Sequence, residues 1–289
     1  MPIRLRERFE VKFELFDSRV GRRNHLLIGG QGEKTVIFSH GFGCDQSMWR
    51  HVVPAIARRY RVALYDHVGA GGSDLSAYSE SKYSSLKGYA ENAVEICEEL
   101  GVRDCVFVGH SVSAMIGAEA AVLAPERIGE LVMVGPSPCY LNDGDYRGGF
   151  ERADLEELLE TLEANYLGWA RTMAPVIMGR TDRPEFGEEL GESFCRMDPV
   201  IAAQFARVTF FSDSRGILPR VKARTLVVQC TDDAIAPTAV GEYTAANLPN
   251  SELVYLKATG HCPNLSAPEE TIAVISAFLE KGEGETGGD

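Results

Sequence analysis

Three short stretches hold residue types that could do chemistry together. In "CVFVGHSVSAMIG" (105–117) an apolar, β-branched run ends at Gly109, and small residues suited to a helix follow Ser111. A hydroxyl held in so tight a strand-to-helix turn is presented for attack on a carbonyl carbon. Such a hydroxyl needs a base to take its proton and an acid to orient that base. In "KATGHCPNLSAPEE", His261 is the one histidine of six placed after the last acidic strand end. In "QCTDDAIAP", Asp232 and Asp233 both end a late strand, and the offset before "AIAP" favours Asp233.

The same segments offer groups for a developing oxyanion. Val112 begins a helix, where a backbone N–H is free and negative charge is favoured. A second donor is expected from "SHGFGCDQSMW", a glycine-rich loop after an early strand, at the N–H of Phe42. One feature departs from the usual pattern. The elbow reads G-x-S-x-S, with Ser113 where the smallest side chain is usual. Cys44 and Cys262 flank these loops, but neither sits at such a turn.

These loops need a sheet to hold them. "TVIFSH", "RVALYD", "CVFVG", "LVMVGP", "TLVVQC" and "LVYLKA" are nearly continuous apolar runs separated by helical stretches. Strands buried on both faces of a parallel sheet have this composition, and the alternation predicts a doubly wound α/β architecture. The serine, acid and histidine then fall at carboxyl ends of strands in the order Ser…Asp…His, the order of α/β hydrolases. Nearly ninety residues without a clear buried strand separate "LVMVGP" from "TLVVQC". Leu155, Leu158, Leu159 and Leu162 recur there at helical spacing. "PEFGEELGESF" and "DPVIAAQFARVTFF" each open with a proline near the first turn. A helical lid over the carboxyl edge of the sheet is predicted, where ligands of such sheets bind. Phe9, Val11, Phe13 and Leu15 alternate with charged or polar residues and predict an amphipathic edge strand.

The expected division is a core of residues 21–136 and 216–281 with a cap of residues 137–215. Residues 1–20 form an extension with an extra edge strand, and residues 282–289 a flexible tail. Aromatic residues of the cap, Tyr140, Phe150, Trp169, Phe194, Phe210 and Phe211, are expected to join Phe42 in lining an apolar pocket.

Composition narrows the function. The chain has 289 residues, 45% hydrophobic and 25% charged, with a net charge of −13. That balance argues against nucleic acid or an anionic membrane as partner. The charged start, "MPIRLRERFEVKFELF", lacks the apolar core of a secretory signal. Seven cysteines without C-x-x-C spacing suit reduced thiols in the cytoplasm rather than a disulfide framework or zinc site. "GAGGSD" (69–74) lacks the spacing and lysine of a phosphate loop. No metal or cofactor is expected, and a serine nucleophile excludes the aspartate-based dehalogenase and epoxide-hydrolase chemistries.

"GHSVSAMIG", "HGFGCDQSMW", "YDHVGAGGSD", "SPCYLNDGDYRGGFE" and "GHCPNLSAPEE" together resemble the RsbQ-type bacterial hydrolases, kin of the plant karrikin and strigolactone receptors. The resemblance runs from about residue 24 to residue 280. "GPSPCYLND" and "QCTDDAIAP" are similar to the bacterial branch, and "SVSAMIG" to the plant branch. It implies an α/β-hydrolase fold with a four-helix cap, a triad of Ser111, Asp233 and His261, and an oxyanion hole of Phe42 and Val112. It implies hydrolysis of a small hydrophobic ester or lactone, butenolide-like, in the service of stress or small-molecule signalling. It equally implies a ligand-sensing receptor that engages a PAS-domain phosphatase, with hydrolysis secondary.

Overall fold

Apolar runs long enough to bury a strand on both faces account for the centre of the molecule. The computed structural model describes residues 11–286. Its strands are β1 (Glu14–Leu15), β2 (Leu27–Gly30), β3 (Thr35–Ser39), β4 (Arg61–Tyr65), β5 (Cys105–His110), β6 (Ile128–Val134), β7 (Arg224–Asp232) and β8 (Ser251–Thr259). They form one sheet in the order β1-β2-β4-β3-β5-β6-β7-β8. Pairing is antiparallel from β1 to β2 and from β2 to β4, and parallel from β4 through β8. Every residue of β3 and β5 is buried.

Helices α1 (Arg19–Arg23), α2 (Val53–Ile56), α3 (Leu86–Glu99) and α4 (Val112–Leu123) precede the insertion; α9 (Thr238–Asn247), α10 (Pro263–Ser266) and α11 (Pro268–Thr286) follow it. α4 is apolar almost all round, as a helix enclosed on every side must be. It packs against α3, β5 and β6.

The insertion comprises α5 (Arg152–Ala164), α6 (Tyr166–Met178), α7 (Pro184–Phe194) and α8 (Pro199–Phe210). Leu155, Leu159 and Leu162 of α5 are buried, while Leu158 is half-buried. Pro184 and Pro199 occupy first-turn positions that lack a helical acceptor for an N–H. Asp198 caps α8 through the N–H groups of Val200 and Ile201.

Four details differ from the sequence expectations. β2 was not anticipated, because "LIGG" is short and half glycine. α6 carries no clean period of its own, being interrupted by Gly168 and Pro175. Among the described N-terminal residues, Glu14 and Leu15 alone form strand pairs with β2; Val11 and Phe13 pack on the core, Leu15 is exposed, and Phe9 lies outside the described residues. The expected flexible tail begins too early: α11 continues to Thr286, and Arg59 pairs with both Glu280 and Glu283 on it.

The cap meets the core at Gly260. Its φ is +82°, and a Cβ there would lie 1.9 Å from the carbonyl oxygen of Met178, the last residue of α6. Its N–H donates to the carbonyl of Asp232 at 2.6 Å. Gly260→Ala therefore adds left-handed strain of about 1–2 kcal/mol to a collision with backbone. The expected result is a clear fall in melting temperature; an unchanged thermal melt would show that the contact yields.

Candidate active site

Ser111 sits between β5 and α4 with φ 56° and ψ −124°, a conformation that side-chain-bearing residues rarely adopt. Backbone bonds hold it there: its N–H donates to Val134 O at 2.8 Å, and its carbonyl accepts from Ala114 N at 2.9 Å. The turn is tight enough that a Cβ on Gly109 would lie 2.3 Å from Ser113 O. Glycine at 109 is thus a steric requirement.

The structure brings Ser111, His261 and Asp233 into one line. Ser111 Oγ lies 2.8 Å from His261 Nε2, and His261 Nδ1 lies 2.7 Å from Asp233 Oδ2. A carboxylate only accepts, so the imidazole proton belongs on Nδ1 and leaves Nε2 to accept from the hydroxyl. Asp233 Oδ1 accepts from the N–H groups of Ile235 and Ala236 at 2.8 and 3.0 Å. Burial alone would raise this carboxyl, but His261 and the two N–H groups outweigh it and hold Asp233 below its ordinary range. The alternative acid, Asp232, has an exposed side chain and contributes its carbonyl to Gly260.

His261 itself is fixed by backbone. Its N–H donates to Ile177 O of α6 at 2.8 Å, and its carbonyl accepts from His110 Nε2 at 2.7 Å. Burial first, and then the neighbouring His261, push His110 down to about 3, so it is a neutral donor. Sequence reasoning gave His110 no part; its preceding Ser111 is the only local sign.

Ser113 also had no assigned partner. Its hydroxyl donates to His40 O and lies 2.8 Å from His67 Nε2 and 2.9 Å from Ser39 Oγ. Ser39 Oγ in turn lies 2.8 Å from Tyr65 Oη. This buried network joins α4 to the ends of β3 and β4 and pins the His40–Gly43 loop. His67, lowered by burial and by nearby His40, is neutral there. Phe42 and Val112 flank Ser111 from opposite sides in sequence: Phe42 from that pinned loop, Val112 as the first residue of α4, with no helical acceptor for its N–H.

Ser111 and His261 open into a chamber beneath the cap. The cavity is narrow, with a volume of about 30 Å³. Of the predicted lining, Phe42, Tyr140, Trp169, Phe194 and Phe210 are there, and Leu190, Thr209 and Ile235 join them. Phe42 packs at 5.7–6.4 Å from the rings of Trp169, Phe194, Phe205 and Phe210. Tyr140 is within hydrogen-bonding reach of Ser111, and burial pushes its phenol up to about 12.

Two predicted lining residues are misplaced. Phe150 stands behind Phe210, with ring centroids 6.4 Å apart, and does not reach the chamber. Phe211 follows α8 and lies a further 100° round the helix from Phe210, so it faces an outer groove beneath Arg152. Cys44 and Cys262 line the chamber, but burial raises both thiols, which keeps them protonated and poor nucleophiles.

Residues 36–274 match the model of the Alpha/beta hydrolase family. The chain belongs to that family. The hydrolase is 40% identical over 257 residues to Karrikin insensitive 2 receptor CA of Petunia hybrida, covering 89% of this chain and 95% of the relative. It is 39% identical over 258 residues to strigolactone esterase D14 of Arabidopsis thaliana, with 89% and 95% covered. A solved hydrolase from Oleispira antarctica superposes with a TM-score of 0.89 at 42% identity, covering 91% of this chain and 96% of that one. The expected fold class and the expected kinship with the karrikin and strigolactone receptors are therefore borne out, and the chain is an esterase-type hydrolase. Among the described residues, no helix is long and apolar enough to cross a membrane.

Two predictions follow from the polar groups under the turn. Ser113→Ala removes the donor to His40 O, leaves its neighbours short of a partner, and should cost about 1–3 kcal/mol of stability. Steady-state kinetics on an aryl ester should show kcat falling with KM little changed, because the loop bearing Phe42 loosens; equal kcat would separate the network from the loop. His110 concerns pH. An unfolded histidine titrates near 6.5 and the folded one near 3, so between those values the unfolded chain holds the extra proton. Stability falls as pH falls through that window, by up to about 1.4 kcal/mol per pH unit from this residue. Urea melts at pH 7 and pH 5 should show the loss, reduced in His110→Gln.

Proposed function

We propose that this hydrolase cleaves small hydrophobic esters or lactones, butenolides among them, with Ser111 as nucleophile, His261 as general base and Asp233 as its orienting acid. The observation that carries the reading is the continuous line from Asp233 through His261 to Ser111, with the hydroxyl opening into a narrow aromatic chamber. Ser111 Oγ attacks the acyl carbon as His261 Nε2 takes its proton. Asp233 stabilises the imidazolium and keeps Nδ1 protonated. The N–H groups of Phe42 and Val112 meet the oxyanion; losing one such donor typically costs about 3–4 kcal/mol of barrier. The protonated His261 then returns its proton to the leaving oxygen. In a lactone, that oxygen stays attached to the acyl group. Water activated by His261 releases the acid.

The chamber's shape and lining support the substrate class. Its aromatic walls favour flat apolar rings over strongly hydrated groups such as nucleotides and sugars, and the narrow cavity requires the cap to move for any such ligand to enter. The reducing cytoplasm is the proposed compartment, a reading supported by seven cysteines that lack C-x-x-C spacing.

A second reading, ligand sensing, is favoured by one contact. The N–H of His261 is bound to Ile177 O in cap helix α6. A ligand that displaces His261 thus pulls on the cap, and a cap so altered could engage a protein partner. A PAS-domain phosphatase is the partner that the sequence resemblance implies.

Ser111→Ala should reduce hydrolysis of p-nitrophenyl acetate by a factor on the order of 10⁴ or more. Turnover retained in the variant overturns the assignment of Ser111. A hydrolysable butenolide should also shift the wild-type melting temperature if sensing accompanies turnover, and leave it unmoved if hydrolysis is the whole output.

A further inference from the structure

The chamber holds a polar group that acyl transfer does not use. Thr209, in cap helix α8, is 2% exposed and lines the chamber, and its Oγ1 has no hydrogen-bond partner among the described residues. Threonines inside helices commonly turn the hydroxyl back to the carbonyl four residues earlier. Thr161, Thr172, Thr244 and Thr271 all do so here, at 2.9, 3.0, 2.7 and 3.1 Å. Thr209 makes no such bond to Phe205. Phe42, Phe194, Phe210 and Leu190 give the same chamber an apolar wall, and the Tyr140 hydroxyl there is turned to Ser111.

A second polar atom in the same wall is also unpartnered. Trp169, 4% exposed, comes from α6, and its Nε1 has no acceptor among the described residues. An indole N–H can only donate, and a hydroxyl can donate or accept. An acceptor oxygen of a ligand would satisfy either of them. The scissile carbonyl is not that oxygen, because its donors are the backbone N–H groups of Phe42 and Val112 on the core, whereas Thr209 and Trp169 belong to the cap.

We propose that Thr209 is a specificity-determining residue that hydrogen-bonds a second oxygen of the ligand, separate from the carboxyl group that is cleaved. The ligand is then an oxygenated ester or lactone, bearing an ether, hydroxyl or further carbonyl oxygen, rather than a simple hydrocarbon acyl ester. This rests on the reading of the chamber as the acyl site. A pocket with a buried group awaiting a hydrogen bond discriminates strongly against analogues that lack the partner, far more than an apolar pocket discriminates by a methylene.

Thr209→Val keeps the shape and removes the hydroxyl; Thr209→Ser keeps the hydroxyl. The substrates are two near-isosteric pairs of p-nitrophenyl esters: methoxyacetate with butyrate, and 3-methoxypropanoate with pentanoate. They place an ether oxygen at two depths against a methylene. In wild type and Thr209→Ser, kcat/KM for the ether ester of at least one pair should exceed its Thr209→Val value about tenfold. The hydrocarbon esters should change less than about twofold, and the difference should lie in KM. Thr209→Val should melt no lower than wild type, because an unpartnered buried hydroxyl contributes nothing to the free protein. An ether-to-methylene ratio unchanged by Thr209→Val in both pairs overturns the proposal. So does a variant that melts earlier or fails to fold, since the hydroxyl is then structural. Ser111→Ala is assayed alongside: turnover that survives it rejects the acyl-site reading itself, whereas turnover lost there with an unchanged Thr209→Val ratio rejects only this inference.

Discussion

Everything in the site depends on one unfavourable backbone conformation. Ser111 holds φ at 56° because the strand before it and the helix after it leave no other route. A relaxed turn would point the hydroxyl along the chain. The strained one lifts it above the sheet, toward His261, and at the same step begins α4, whose first N–H is left without a helical acceptor. Strain of this kind persists only where the surroundings over-determine it. Here they do: β5 is buried along its whole length, α4 is enclosed on nearly every side, and a Cβ on Gly109 would leave no room for the backbone of Ser113.

The same turn explains the departure at Ser113. The elbow needs a small residue there, and glycine would serve the sterics. Serine adds a hydroxyl that reaches His40 O, Ser39 and His67 at once. A polar network buried in this way is costly when incomplete and rigid when complete. One atom of it remains unmatched, His67 Nδ1, against the rings of Tyr89 and Phe205. The remaining bonds tie α4, β3 and β4 into a floor for the loop that carries Phe42. A residue that looks like an imperfect fit to the motif therefore links the helix that follows Ser111 to the loop that carries Phe42.

How much of this could be read in advance follows from the range of each interaction. The strands, the elbow and the ends that carry Ser111, Asp233 and His261 announce themselves within a dozen residues, through apolar runs, glycines and prolines. β2 does not, since its two glycines erase the alternation that marks a strand. The roles of His110 and Ser113 rest on atoms far away in the chain: His110 on the carbonyl of His261, Ser113 on Ser39, His40 and His67. Phe150 and Phe211 show the limit of composition. An aromatic in the cap is expected to face the chamber, but one step of a helix decides whether it faces inward or out. Thr209 is the reverse case, an ordinary threonine whose meaning lies in the hydrogen bond it does not make.

The cap and the triad are not independent parts. The strand end that carries Asp233 also holds Gly260 through Asp232 O, and Gly260 is packed under the last carbonyls of α6. His261 follows directly and is bound to Ile177 on that same helix turn. A displacement of α6 by an ångström would therefore act on the imidazole through backbone, without any side chain having to relay it. Conversely, Phe210, Trp169 and Ile177, which belong to α8 and α6, line the chamber with Ser111, so an acyl group placed there on the proposed mechanism would press on them. Packed interfaces of this kind switch between arrangements rather than deform smoothly. On the proposed reading, hydrolysis and sensing would share one mechanical element, since an acyl group on Ser111 would be the same group that loads the cap.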